Sequence, residues 1–195
     1  MDRERAGAEG AAPYDDPVSG LECVWRPDWP CPVGGLLHIH RRGGGDPTYR
    51  IDERGVHWRG IRTPEGTATL AIHPLAATEE GEAVGEVRAQ AWGEGAAWAL
   101  ASVPRLLGAE DDPAGFTALH PAVAHGRRTH PHLRFGRTDL VMEALVPAII
   151  EQKVTGKEAF GAFRKLVHFF GERAPGPHAE LLKLWVQPAP ATIAR

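Results

Sequence analysis

The chain has 195 residues and a mass of 21.1 kDa, with 43% hydrophobic and 24% charged residues, proportions of an ordinary globular protein that exclude collagen-like and membrane-embedded classes and allow one or two domains with a real core. No apolar run approaches the ~18 residues of a spanning helix and no basic start precedes an apolar stretch, so neither membrane insertion nor secretion is signalled and a cytoplasmic protein is expected. The net charge of −3 conceals an asymmetry, because residues 1–119 carry 11 Lys and Arg against 19 Asp and Glu whereas residues 120–173 carry nine against five.

In chain order, Met1 to Gly20 is rich in Ala, Gly, Asp and Glu without apolar periodicity, and reads as a disordered tail that cannot repay the entropy of ordering. Leu21, Val24 and Trp25 begin an edge strand that Trp29-Pro30-Cys31-Pro32-Val33 breaks, ahead of a short apolar piece from Leu36 to Ile39. Gly43-Gly44-Gly45 reads as a hairpin or linker. Tyr49 and Ile51, then Val56 and Trp58, alternate with polar neighbours. The turns Asp52-Glu53-Arg54-Gly55 and Thr63-Pro64-Glu65-Gly66, with the run Thr67 to Ile72, complete an antiparallel meander. Glu79 to Gly85 reads as a loop, Val87 to Trp92 as a fourth strand and Ala96 to Leu107 as a helix despite Pro104. Beyond Glu110-Asp111-Asp112-Pro113 the periodicity is helical. Sheet first and helices afterwards predict an α+β protein, with a tail at 1–20, an antiparallel sheet domain at 21–108 and a helical domain at 109–195.

Asp139 to Gln152 is apolar on nearly every side and is expected to be a buried central helix, kinked at Pro147. The next helix opens with Thr155-Gly156-Lys157-Glu158, the capping-box pattern, in which Thr155 accepts from the Glu158 N–H while the Glu158 carboxylate reaches back. It presents Phe160, Phe163, Leu166, Val167 and Phe170 at spacings of three and four before Gly171 stops it. Between the helices, Glu151-Gln152-Lys153-Val154 forms a polar corner that either projects Gln152 and Lys153 with little freedom or is an ordinary solvated turn.

Other constellations are weaker. Cys23 and Cys31 lack C-x-x-C spacing, which leaves no zinc ribbon or disulfide scaffold. The pairs His38/His40 and His130/His132 could each put two imidazoles on one face of a strand, but a catalytic metal needs three ligands and no carboxylate cluster joins them, so no metal is expected. Phosphate loops of the G-x-x-x-x-G-K type and local nucleophile triads are missing. Most of the tryptophans suit packing, and Trp29, beside two prolines, is the one suited to a base pocket.

The run Leu145-Val-Pro-Ala-Ile-Ile-Glu-Gln-Lys-Val-Thr155, preceded by Pro131-His-Leu-Arg134 and followed by a helix ending Phe169-Phe-Gly171, resembles the helix-hairpin-helix DNA glycosylases of the 3-methyladenine (alkylpurine) branch. Where that family reads Gly-Gln-Gln-Val-Ser, this chain has Glu151-Gln152-Lys153-Val154-Thr155. Asp28-Trp29-Pro30, Leu36-Leu37 and Pro47-Thr48-Tyr49-Arg50 are similar to the opening of its N-terminal sheet domain. The resemblance implies an enzyme of base excision repair that needs no cofactor. Such an enzyme extrudes an alkylated base from double-stranded DNA and hydrolyses its N-glycosidic bond, using an aromatic pocket, a carboxylate beside the developing oxocarbenium sugar and a side chain wedged into the duplex.

It further implies DNA contacts at Gln152, Lys153, Thr155 and Lys157, with Lys153 at the wedge position, where its charge suits a phosphate better than intercalation. The family's hairpin and catalytic Asp have no counterpart here, since Gly93-Glu94-Gly95 has the wrong flanks and no Asp follows Asp139. No catalytic residue is therefore expected in this chain, which reads as the N-terminal part of a nucleoid-associated glycosylase that is a monomer at full length. The alternative is a catalytically inert DNA-binding or regulatory module with the same sheet and corner.

Overall fold

The computed structural model describes residues 20–73 and 85–194. The expected tail, apart from Gly20, and the expected 79–85 loop, apart from Gly85, lie outside them. A five-stranded antiparallel sheet runs in the order β1-β5-β4-β3-β2, built from β1 (Leu21–Trp25), β2 (Tyr49–Ile51), β3 (His57–Thr63), β4 (Gly66–Ile72) and β5 (Val87–Trp92). The helices are α1 (Val33–His38), α2 (Ala96–Leu106), α3 (Pro121–Thr129), α4 (Val141–Ile150), α5 (Gly156–Phe170), α6 (Pro177–Leu181) and α7 (Pro190–Ile193). A two-stranded ribbon, β6 (Glu172–Arg173) with β7 (Trp185–Val186), follows α5. The α+β class holds, as do the edge position of β1 and the β2-β3-β4 meander.

Turn chemistry explains the meander. The Asp52 carboxylate accepts from the N–H groups of Arg54 and Val56 and from Trp58 Nε1, each at 2.9 Å, while Gly55 takes φ 77° without a Cβ penalty. In the second turn Thr63 Oγ1 donates to the Gly66 carbonyl at 2.8 Å and pins the ends of β3 and β4. The register places Trp58 opposite Ala71 and Ala71 opposite Gln90, so alternate residues of the same strands face opposite sides.

Each side of the sheet has its own core. On one, α1 and α2 cover Tyr49, Ile61, Leu70, Ile72 and Val87, with Leu37, Val103 and Leu106 as fully buried partners. On the other, Val56, Trp58, Ala71 and Trp92 meet Ala174, Ala179, Leu184 and Val186 from the C-terminal ribbon and α6. The second core thus joins residues from both sides of Gly108. The ribbon lies so close to β3 that a Cβ on Gly60 would stand 2.1 Å from the Trp185 carbonyl oxygen, so this strand position must be glycine.

Three expectations are corrected. The apolar segment before the corner is a helix, but it is not buried all round. Within α4 only Val146 and Pro147 are buried, and Val141, Leu145 and Ile149 are 74%, 44% and 57% exposed. An all-round apolar composition reports the environment a helix suits, and the described residues supply neighbours for one face only. Gly43-Gly44-Gly45 is neither hairpin nor free linker. Asp46, itself buried, accepts from the Arg42 N–H at 2.7 Å and the Thr48 N–H at 2.8 Å, which closes the loop against α5. There a Cβ on Gly43 would meet the Phe160 ring at 2.8 Å. Finally, the His-x-His pairs sit on no strand. His38 ends α1, His130 caps α3, and no cluster of three metal-ligating side chains occurs among the described residues.

Candidate functional site

Two features bring chemistry-bearing side chains together, the corner between α4 and α5 and a cleft between the sheet and α4. At the corner α5 begins with the expected capping box. Glu158 N–H donates to Thr155 Oγ1 at 3.4 Å, and the Glu158 carboxylate accepts from the Thr155 N–H at 3.0 Å and its hydroxyl at 2.7 Å. Those two hydrogen bonds hold the Glu158 carboxyl below its usual pKa. Such a cap stabilises a helix by about 1 kcal/mol and fixes where α5 starts.

Gln152, Lys153, Thr155 and Lys157 are all exposed. Lys153 takes φ 58°, a left-handed conformation that costs a non-glycine residue roughly 1 kcal/mol. That conformation turns the chain sharply out of α4 and into α5 within a few residues. Of the nearby carboxylates, Glu158 makes the cap and Glu151 lies 3.7 Å from Arg42 Nε, both at the surface. Lys153 and Lys157 have no ion-pair partner among the described residues, so both ammonium groups are available at the corner.

The cleft encloses about 640 Å³ and is lined by β3, by the segment from Gly136 into α4, and by Gln187 with the prolines that follow. Arg59, 4% exposed on β3, reaches across it to the Glu143 carboxylate in the first turn of α4. His40 Nδ1 lies 4.0 Å from the same carboxylate, and its Nε2 is buried without a hydrogen-bond partner among the described residues. Burial, reinforced by the charges of Arg59 and then Arg42, lowers the His40 pKa to about 3. His40 is therefore neutral at physiological pH, and its contact with Glu143 is not an ion pair. Gln187 Nε2 donates to the Met142 carbonyl at 2.7 Å, a second link across the cleft.

This histidine has a consequence for acid stability. The unfolded chain takes up its proton near ~6.5, whereas folded His40 does so only near 3. Between those values the unfolded state binds the extra proton, so stability falls as pH drops below about 6.5. His57 and His73, also lowered by burial, act in the same direction. His40→Gln is expected to flatten the fall in urea midpoint between neutral pH and pH ~4.5, and an unchanged fall would remove His40 from the acid response.

Trp29 is placed away from the cleft. Its ring is buried in the core beside Trp25 at 5.5 Å, and the Arg134 guanidinium stacks over it at 3.7 Å from the centroid. Sequence reasoning missed the Arg59–Glu143 and Gln187–Met142 contacts. Both join segments far apart in the chain, and an arginine on a strand reads as a surface residue until its partner is known.

No family model and no curated protein matches this chain. Among solved structures it is similar to a 3-methyladenine DNA glycosylase from Archaeoglobus fulgidus, with a TM-score of 0.64 and 18% identity over 88% of this chain. The match spans 57% of the length of that protein. At this identity the likeness is one of fold.

Proposed function

We propose that the chain belongs to a DNA repair glycosylase that removes alkylated purines from duplex DNA, of which these residues form the sheet and the first helices of the helix-hairpin-helix domain. The corner carries the reading. Gln152 and Lys153 stand exposed at a capped helix junction, and Lys157 lies in the first turn of α5. A helix start with two exposed lysines outside any ion pair is suited to phosphate oxygens, and the likeness of fold to a protein described as a 3-methyladenine DNA glycosylase supports the same conclusion. Lys153 and Lys157 would neutralise phosphates, Thr155 would hold the start of α5, and Gln152 would approach the gap left by the extruded nucleotide. Trp29 has no part in base binding in this reading. Such an enzyme would work as a monomer on the DNA of the cytoplasm.

Hydrolysis needs a carboxylate free to face the sugar as the glycosidic bond breaks and water adds at its anomeric carbon. Glu143, Glu151 and Glu158, the carboxylates nearest the corner, are engaged by Arg59, Arg42 and the α5 cap, so none of the three is offered as the catalytic group. That same engagement favours a second reading for the chain by itself, an inert DNA-binding module. Incubated with methylated duplex DNA, the purified chain is expected to bind at low salt and to release no methylpurine. Base release would transfer catalysis to one of the three glutamates, and absence of duplex binding at low salt would remove the DNA reading altogether.

A further inference from the structure

We propose that Glu143, Gln187 and Arg42 are positioning residues, three polar tethers that seat α4 on the sheet and so set where the Gln152–Lys153 corner stands. The inference rests on the DNA reading of that corner but is carried by how α4 is held. Its neighbour α5 buries Ala159, Phe163 and Val167, whereas α4 buries only Val146 and Pro147. Hydrophobic attachment is non-directional and scales with area, and two small contacts fix neither the rotation nor the height of a ten-residue helix.

The tethers supply what burial does not. In the first turn Glu143 meets Arg59, and the Met142 carbonyl accepts from Gln187 Nε2 at 2.7 Å. At the C-terminal end Glu151 meets Arg42 at 3.7 Å. Each tether has a fixed root. Arg59 is buried on β3 between two paired strands. The Gln187 backbone carbonyl accepts from Arg62 Nη2 at 3.3 Å. Arg42 leaves a loop closed by Asp46 and pressed on Phe160. The charge-assisted Glu143–Arg59 hydrogen bond and the Gln187–Met142 hydrogen bond are directional and fix the first turn, while the Arg42–Glu151 ion pair, longer than a hydrogen bond, adds attraction at the far end. Lys153, three residues beyond α4, inherits that position.

The test uses the whole chain with Gln187→Met, which keeps volume and removes the donor, and Glu143→Gln, which removes the carboxylate charge but keeps an acceptor oxygen for Arg59 and so costs less than a truncation; protection of β3 and β4 reports that the fold persists. By hydrogen exchange, amides of 143–151 are expected to exchange at least about tenfold faster in both variants, while β3 and β4 keep their protection. On duplex DNA, Gln187→Met should lower the log–log salt slope by the ~0.9 assigned to one phosphate contact, and adding Lys153→Ala should remove nothing further. Glu143→Gln removes a negative charge, which by charge alone would strengthen DNA binding, so a weaker slope has the sign that positioning requires. Unchanged exchange in α4, or a full Lys153→Ala effect in the Gln187→Met background, overturns the proposal. If the unaltered chain shows no salt-dependent binding, the reading of the corner fails, and the exchange rates alone still decide whether the tethers hold α4.

Discussion

Replacing Leu145 and Ile149 together by Lys is expected to convert the 195-residue chain from a dye-binding, self-associating protein into a monomer. The outward face of α4 is formed by Val141, Ala144, Leu145, Ala148 and Ile149, spaced at three, four, seven and eight. This is the stripe of a helix made to pack against another. Every member is apolar and exposed, and contiguous apolar surface of that kind is uncommon on a monomer. Covering a fully exposed Leu or Ile side chain stabilises by about 1.5–3 kcal/mol; Leu145 and Ile149, 44% and 57% exposed, supply part of that each, so association draws on the whole stripe, which two lysines at its centre interrupt. Sedimentation with a hydrophobic dye checks this. A monodisperse, dye-negative chain before substitution would show that the stripe is not a packing face.

The second large effect concerns the buried arginine. Glu143→Ala should destabilise the fold by about 3–5 kcal/mol, because it strands the Arg59 guanidinium in the cleft wall without its carboxylate. Arg59→Met combined with Glu143→Met should cost far less, since two apolar groups of similar volume need no partner. Urea unfolding of the single and double variants separates the cases. A loss below about 1 kcal/mol for Glu143→Ala would mean that water reaches Arg59 and that the pair is a surface contact.

Elements governed by local chemistry were legible in the sequence. The meander follows from Asp52, Gly55 and Pro64 in its turns, α5 from Thr155 and Glu158 at its start, and the edge strand from the prolines after Trp25. Elements governed by distant partners were not. The β6–β7 ribbon is two residues per strand and carries no period. The cleft depends on Arg59 meeting a glutamate 84 positions away. The all-round burial that the composition of α4 suggests does not hold, because composition describes the neighbours a helix suits and the described residues supply them on one face only. The corner was visible as a short polar interval between two helices, but the left-handed Lys153 that makes its turn was not, since lysine has no preference for that conformation.

Duplex binding as a function of salt, for the unaltered chain and three variants, bears most directly on the corner as a DNA contact. Lys153→Ala is expected to lower the log–log slope by about 0.9, the effect of one lost phosphate contact. Lys183→Ala, which lies beyond α6 and outside the corner, should leave the slope alone. Gln152→Ala carries no charge and should weaken binding at every salt concentration with the slope preserved. If Lys153→Ala and Lys183→Ala give the same slope, Gln152 and Lys153 form an ordinary solvated turn, and the corner is not where this chain meets DNA.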